Sequence, residues 1–193
     1  LVHDGKITVT LGGEAFKGNP EYAIVVNGIE VTRGEIDWSK DTLGAEKLYG
    51  NEGANDVDNS QVEWKDISVD YDFSDGMPQK VEVRFLNDAC GGHDPESGEW
   101  QDRNLIVDKI KVDGLSVESE GDYTTYGERD GMERMPWQGS LEFNMDQAYA
   151  NQVDEHNEKS LEVSTSTDKE SNMERVTIGE PTEIFSSSFE DKL

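Results

Sequence analysis

Tyr22 to Asn27 and Ile29 to Arg33 are two short, largely apolar runs that meet at the dipeptide Asn27-Gly28. Asn and Gly both tolerate positive φ, which a type I′ turn demands at its two central positions, and that turn matches the twist of the strands it joins. The segment therefore reads as a β-hairpin. An isolated hairpin is marginal in water, so it needs further strands to bury its apolar face. The rest of the chain supplies them. Residues 6–11 (KITVTL) alternate apolar and polar, as do Val81, Val83 and Phe85 with Glu82 and Arg84. Ile106, Ile110 and Val112 recur two or four apart. Between Val62 and Phe73, Val62 and Trp64 share one face and Ile67, Val69, Tyr71 and Phe73 the next, so the phase slip at Lys65-Asp66 predicts a β-bulge. No segment shows helical periodicity with caps. Many short strands with Gly, Asn and Asp turns predict an all-β fold, a jelly-roll-like β-sandwich in which each sheet buries one face against the other.

The chain has 193 residues and a mean hydropathy of −0.77, enough for one modest core and a solvated extension. Residues 34–60 form a long excursion rich in Gly, Asn and Asp, with Trp38, Leu43, Leu48 and Tyr49 as possible anchors. After Phe143 the chain turns polar and rich in Ser, Thr and Glu. The expected organisation is a β-sandwich module over residues 1–145 and, over 146–193, a long irregular acidic tail or linker, with Ile184-Phe185 and Phe189 opening a further domain. The chain begins Leu1, Val2, His3 without an initiator Met and has no apolar run of membrane-spanning length, so it reads as an excised piece of a longer protein that carries other domains.

Acidic residues number 43 against 17 Lys and Arg, a formal charge of −26. That field repels phosphate backbones and anionic headgroups, which argues against nucleic acid and membrane partners and leaves divalent cations and neutral ligands. Solvation of the surface is the plain alternative for most of these carboxylates. Cys90 is the only cysteine, so no intrachain disulfide can form.

The acids concentrate between two strands, in Asn87–Val112 (NDACGGHDPESGEWQDRNLIVDKIKV). Calcium takes six to eight hard oxygen ligands from carboxylates, carbonyls and water. A loop with Asp88 at its start and Asp102 at its end can bring two carboxylates onto one ion, while Gly91, Gly92 and Gly98 let carbonyls turn inward.

These residues resemble a known family. NDA, a variable loop, DRNL and a strand ending VDxIxV before a Gly are similar to the calcium-dependent xylan-binding carbohydrate-binding modules of families 36 and 60. ITVTLGGEAF followed by VVNGIEV resembles their first hairpin. Residues 130–143 (DGMERMPWQGSLEF) look like the closing strand of the circularly permuted family 60 arrangement, so the resemblance spans roughly residues 5–145. It implies a calcium ion held by Asp88, Asp102, the Gln101 carbonyl and a carbonyl near Met135, with two vicinal sugar hydroxyls completing the shell. Asp88, Trp100, Asp102 and Trp137 become the candidate ligand-binding residues, the two tryptophans by stacking on a sugar ring or, alternatively, as core residues. Asp94, Glu96 and Glu99 lie in a longer loop than the family pattern leads one to expect.

Other readings remain open at this point. Asp88 and Asp102 could each cap a turn. Asp70-Asp72-Ser74 and Asp56-Asp58-Ser60 superficially suggest EF-hand loops but lack Gly at the sixth position. Cys90 and His93 have no partner pair for a zinc site. Glu14 is either a ligand of a second structural cation or a surface residue. Paired acids could suggest a glycosidase, but acids are so abundant that any pair can be found. The expected function is noncatalytic polysaccharide binding, to xylan or a related glycan, outside the cell; the alternative is an adhesive or structural sandwich that calcium only stiffens.

Overall fold

The computed structural model describes residues 5–37, 62–98 and 100–152. The anchors expected at Trp38, Leu43, Leu48 and Tyr49, the Asp56-Asp58-Ser60 run, Glu99 and the segment beyond 152 lie outside the described residues. The chain divides into two compact units, Leu1–Asn151 and Gln152–Leu193, and all strands named below belong to the first.

The Asn27-Gly28 hairpin forms as expected. Asn27 (φ 49°) and Gly28 (φ 84°) take the two left-handed turn positions between β2 (Glu21–Val26) and β3 (Ile29–Glu35), with Val26 paired to Ile29. Asn27 does a second job: its Oδ1 accepts from the backbone N–H groups of Gln79 and Lys80 at 2.9 and 3.1 Å, docking the turn on the start of β5 (Lys80–Phe85). β5 then pairs with β2 on one side and β12 (Gly139–Asn144) on the other. β9 (Thr124–Tyr126) and β10 (Arg129–Asp130) complete a sheet of order β10-β9-β12-β5-β2-β3.

The second sheet is built around β7 (Trp100–Val112), thirteen residues long. Its order is β11-β7-β1-β4, with β1 (Lys6–Glu14), β4 (Lys65–Asp70) and β11 (Arg134–Met135), and β6 (Ala89–His93) and β8 (Leu115–Glu118) also pairing with β7. Every pairing in both sheets is antiparallel. Alternate residues of the two sheets, among them Ile7, Val9 and Leu11 of β1, Ile24 of β2, Val83 and Phe85 of β5, Val107 of β7 and Phe143 of β12, meet in one buried core.

Three expectations change. The phase slip at Lys65-Asp66 is not a bulge, because β4 pairs residue by residue with β1 from Lys65–Leu11 to Asp70–Lys6. It marks where the strand begins. The preceding Val62 and Trp64 pack instead over Gly12, whose missing side chain makes the room: an added Cβ would stand 2.4 Å from Val62 Cγ1. A bulge does occur in β7, where Asp108 is the extra residue between the Thr10–Lys109 and Leu11–Val107 pairs. Phe73 likewise leaves the strand pattern for a 3-10 turn, Phe73–Asp75, capped by Asp72, which accepts from Ser74 N at 2.9 Å. Asp72 is thus a cap and not part of an ion loop. Residues 145–152 form a short helix that strand periodicity did not foreshadow; Asn144 accepts from Gln147 N at its start, and Met145 and Ala148 join the core.

Gly12→Ala is expected to lower unfolding stability by about 1–3 kcal/mol, since Val62 must move or strain. A urea unfolding midpoint equal to wild type would show that Val62 does not hold the position seen here.

Candidate functional site

β7 extends past the core and continues as one arm of the β6–β7 hairpin. Ala89 pairs with Arg103, Cys90 with Asp102, Gly92 with Gln101 and His93 with Trp100, Gly91 being the extra residue on β6. Residues directly opposite in an antiparallel pair share a face, and successive residues alternate. Trp100, Asp102 and Asn104 therefore share one face of β7. Asp88, one step before the Ala89–Arg103 pair, arrives at that same end.

What fixes this end is Arg103, which sequence reasoning passed over. Its guanidinium donates five hydrogen bonds to four carbonyls: Phe16 O (from Nε at 3.0 Å and Nη2 at 2.6 Å), Gly18 O (Nε, 3.0 Å), Lys17 O (Nη2, 2.7 Å) and Asn87 O (Nη1, 2.6 Å). The side chain thereby straps the 16–18 turn and the residue preceding Asp88 to the strand carrying Asp102. Phe16 also lies against Gly91, where any Cβ would meet its ring at 2.4 Å. Only a planar, multiply donating cation can serve carbonyls in several directions at once.

Asp102 is buried, 7% exposed, at the start of β7 and not in a free loop. Burial pushes its carboxyl pKa up; the Arg134 guanidinium and a hydrogen bond from Asn104 pull the other way, and the Asp88 carboxylate adds a further upward push. That mutual influence puts Asp88 and Asp102 within electrostatic reach of each other. Arg134 Nη2 stands 3.4 Å from Asp102 Oδ2. Asp102 Oδ1 and the Oδ1 of Asn104, itself fully buried, have no hydrogen-bond partner among the described residues. Buried oxygens without donors cost free energy, and they are the hard donors that calcium or another oxygen-seeking cation takes. Two carboxylates within electrostatic reach and a neighbouring amide oxygen are a donor set that fits a calcium ion. Among the described residues no three His, Cys, Asp or Glu side chains converge as a cage.

The remaining candidates fall around this end in different ways. The Gln101 side chain donates to Asp94 Oδ2 at 2.7 Å, and the other Asp94 oxygen accepts from Glu96 N and Ser97 N, so Asp94 staples the loop shut. Its pKa is held down chiefly by the Ser97 and Glu96 N–H groups. Trp100 is 40% exposed and meets His93 edge to face at 5.0 Å, while His93 Nδ1 stands 3.2 Å from Gly98 O. Trp137 is 41% exposed; its ring stacks on Tyr126 at 5.3 Å, Arg129 lies over it at 4.8 Å, and its carbonyl accepts from the Tyr126 hydroxyl. The Met135 side chain is buried in the core, and Met135 pairs with Leu105, three residues along β7 from Asp102. Glu14 does not sit on the surface: it is 1% exposed, pairs in register with Asn104 and accepts from its Nδ2 at 2.6 Å.

The two-sheet sandwich thus carries Asp102 on β7, with Asp88 just before β6, at one end of the β6–β7 hairpin. The model of a family described as "Ca-dependent carbohydrate-binding module xylan-binding" matches residues 6–127. The chain belongs to that family, carbohydrate-binding module family 60, whose members are noncatalytic. Solved structures similar to it include vCBM60 in complex with galactobiose (18% identity, 72% of this chain and 97% of that one covered, TM-score 0.45) and a selenomethionine form of vCBM60 (18%, 72%, 89% and 0.45). No match is found among curated proteins.

Proposed function

We propose that this module binds a neutral polysaccharide, xylan or a related glycan, through a calcium ion held at the β6–β7 hairpin, and so targets an exported parent protein to its substrate. Asp88 and Asp102 supply the carboxylates and the Gln101 backbone a carbonyl, with a carbonyl from the strand at Met135 as a further donor. The ion would offer its remaining coordination positions to two adjacent sugar hydroxyls. Trp100, on the face of β7 shared with Asp102, and the exposed Trp137 would supply apolar faces for a sugar ring. The observation that carries the reading is the buried Asp102 oxygen, without a hydrogen-bond donor, beside the Asp88 carboxylate and on the face shared with Trp100. The net charge of −26 favours a cation and a neutral ligand over an anionic one.

Calorimetric titration with xylan, galactan and cellulose oligosaccharides, first with calcium and then with chelator, tests it. Binding is expected only with calcium. Binding that survives chelation removes the ion from the mechanism, whereas calcium-raised thermal stability with no sugar binding favours the structural or adhesive alternative. Trp100→Ala is expected to weaken sugar binding about tenfold, in line with loss of one stacking face, and to leave calcium affinity unchanged. Equal sugar affinity in that variant would place the glycan elsewhere.

Proton competition follows from Asp102. Its raised pKa means the folded chain holds this proton more tightly than the unfolded chain. Ionised Asp102 therefore costs the ion-free fold stability above its folded pKa, and the cost vanishes below the unfolded value. Acidification relieves the fold and removes the ion's ligand. Calcium affinity should accordingly begin to fall at a higher pH than the roughly 3.9 of an exposed aspartate. An affinity constant down to that pH would contradict the assignment of Asp102 as a ligand.

A further inference from the structure

A guanidinium is an unexpected neighbour for a cation ligand. Arg134 stands with Nη2 3.4 Å from Asp102 Oδ2 and 3.8 Å from Glu14 Oε2. Three strands deliver these groups to one place. Glu14 ends β1 and pairs with Asn104 of β7; Asp102 lies two residues along the same face of β7; Arg134 pairs with Ile106 from β11, on that face again. This is the side of the sheet away from the core, the side where Val62 and Trp64 cover Gly12. Glu14, Asp102 and Asn104 are buried even so and Arg134 is largely covered, and in such a site like charges a few ångströms apart interact far more strongly than in water.

We infer that Arg134 is the built-in competitor of the divalent ion at Asp102, and that Glu14 acts as a positioning residue by giving the guanidinium a second carboxylate to lean on when the ion binds. The inference rests on the proposed ion site. Without an ion, Arg134 neutralises part of the buried negative charge and so supports the fold. With a doubly charged ion on Asp102, a guanidinium held at 3.4 Å from that carboxylate is repelled. Glu14, already fixed by the Asn104 amide at 2.6 Å, offers the alternative partner on the far side. Asn104 couples the two carboxylates, since its amide also stabilises ionised Asp102.

The arrangement sets opposite signs for two variants that disturb the same cluster, which general loosening of the fold would not do. Arg134→Gln should raise calcium affinity about tenfold and lower the melting temperature measured in chelator. Glu14→Gln keeps an acceptor for the Asn104 amide but removes the second carboxylate beside Arg134, and should lower calcium affinity about tenfold. In an Arg134→Gln background, Glu14→Gln should change affinity less than about twofold, because its effect passes through the guanidinium.

Calcium alone is titrated calorimetrically into wild type, both single variants and the double variant, with thermal melts in chelator alongside. Unchanged or lower calcium affinity in Arg134→Gln overturns the competitor role, and additive effects in the double variant overturn the role of Glu14. If Arg134→Gln does not fold, Arg134→Met carries the same expectation, and unchanged affinity in Glu14→Gln alone is sufficient to reject it. No calcium binding by wild type removes the ion site and this inference together; calcium binding by wild type with wrong signs in the variants removes only the inference.

Discussion

Asp102→Asn is expected to abolish calcium binding and, with it, sugar binding, each by at least about a hundredfold, while the chain still folds. The two effects have one cause. The substitution preserves the shape of a side chain only 7% exposed but removes the charge that an oxygen-seeking cation requires. Asparagine is the sharper choice than alanine, because Asp102 belongs to a strand and faces Arg134 and Asn104, so truncation would leave a hole as well as a missing ligand. Stability in chelator should change little. Neutralising Asp102 relieves the burial cost that raises its pKa and at the same time takes a partner from Arg134, and the two oppose each other. Calorimetry with calcium and with xylan oligosaccharides, together with a chelator melt, reads all three quantities. Full sugar affinity in the variant would detach Asp102 from recognition; collapse of the fold in chelator would make the residue structural.

The parts of this protein that could be read from its residues are those fixed by short-range rules. Asn27-Gly28 marks its turn because positive φ is required at both positions, and the turn appears between Val26 and Ile29 as expected. The alternation of Ile7, Val9 and Leu11, and of Val81, Val83 and Phe85, names the inward faces correctly. Asp88 and Asp102 stand out through the NDA and DRNL motifs of the family resemblance, since as isolated acids they read equally as turn caps, and the hairpin register brings Asp102 and the residue after Asp88 to one end of the sheet. What could not be read depends on which segments cross over which. Val62 and Trp64 break the period of the following strand because they lie over Gly12, a contact between residues fifty positions apart in the chain. Glu14 looks like a surface acid after two glycines until β7 and β11 close around it. Within the described residues the helix at 145–152 spans too few turns for its apolar spacing to stand out. The signal for Asn104 was present but unused: it lies two residues from Asp102 on a strand, hence on the same face.

Arg103→Ala is expected to be the most destabilising single substitution at the site, by about 3–5 kcal/mol, enough to lower the melting temperature by about 10 °C or more. The side chain is 8% exposed and its guanidinium serves four backbone carbonyls from two separate segments. Removing it leaves those carbonyls without their donors and frees the 16–18 turn and residue 87 from β7. Arg103→Lys should recover little of the loss, since one ammonium cannot reach in the directions that the planar fork covers. Binding should suffer beyond what unfolding explains. Asn87 immediately precedes Asp88, so a slack strap lets the Asp88 carboxylate wander relative to Asp102, and two ligands no longer preorganised bind an ion more weakly. The measurement is calcium affinity of the Lys variant at a temperature where it is fully folded by circular dichroism. Weakened calcium binding there, with native secondary structure, assigns Arg103 the alignment of the two aspartates; wild-type affinity in a folded Lys variant would confine its role to stability.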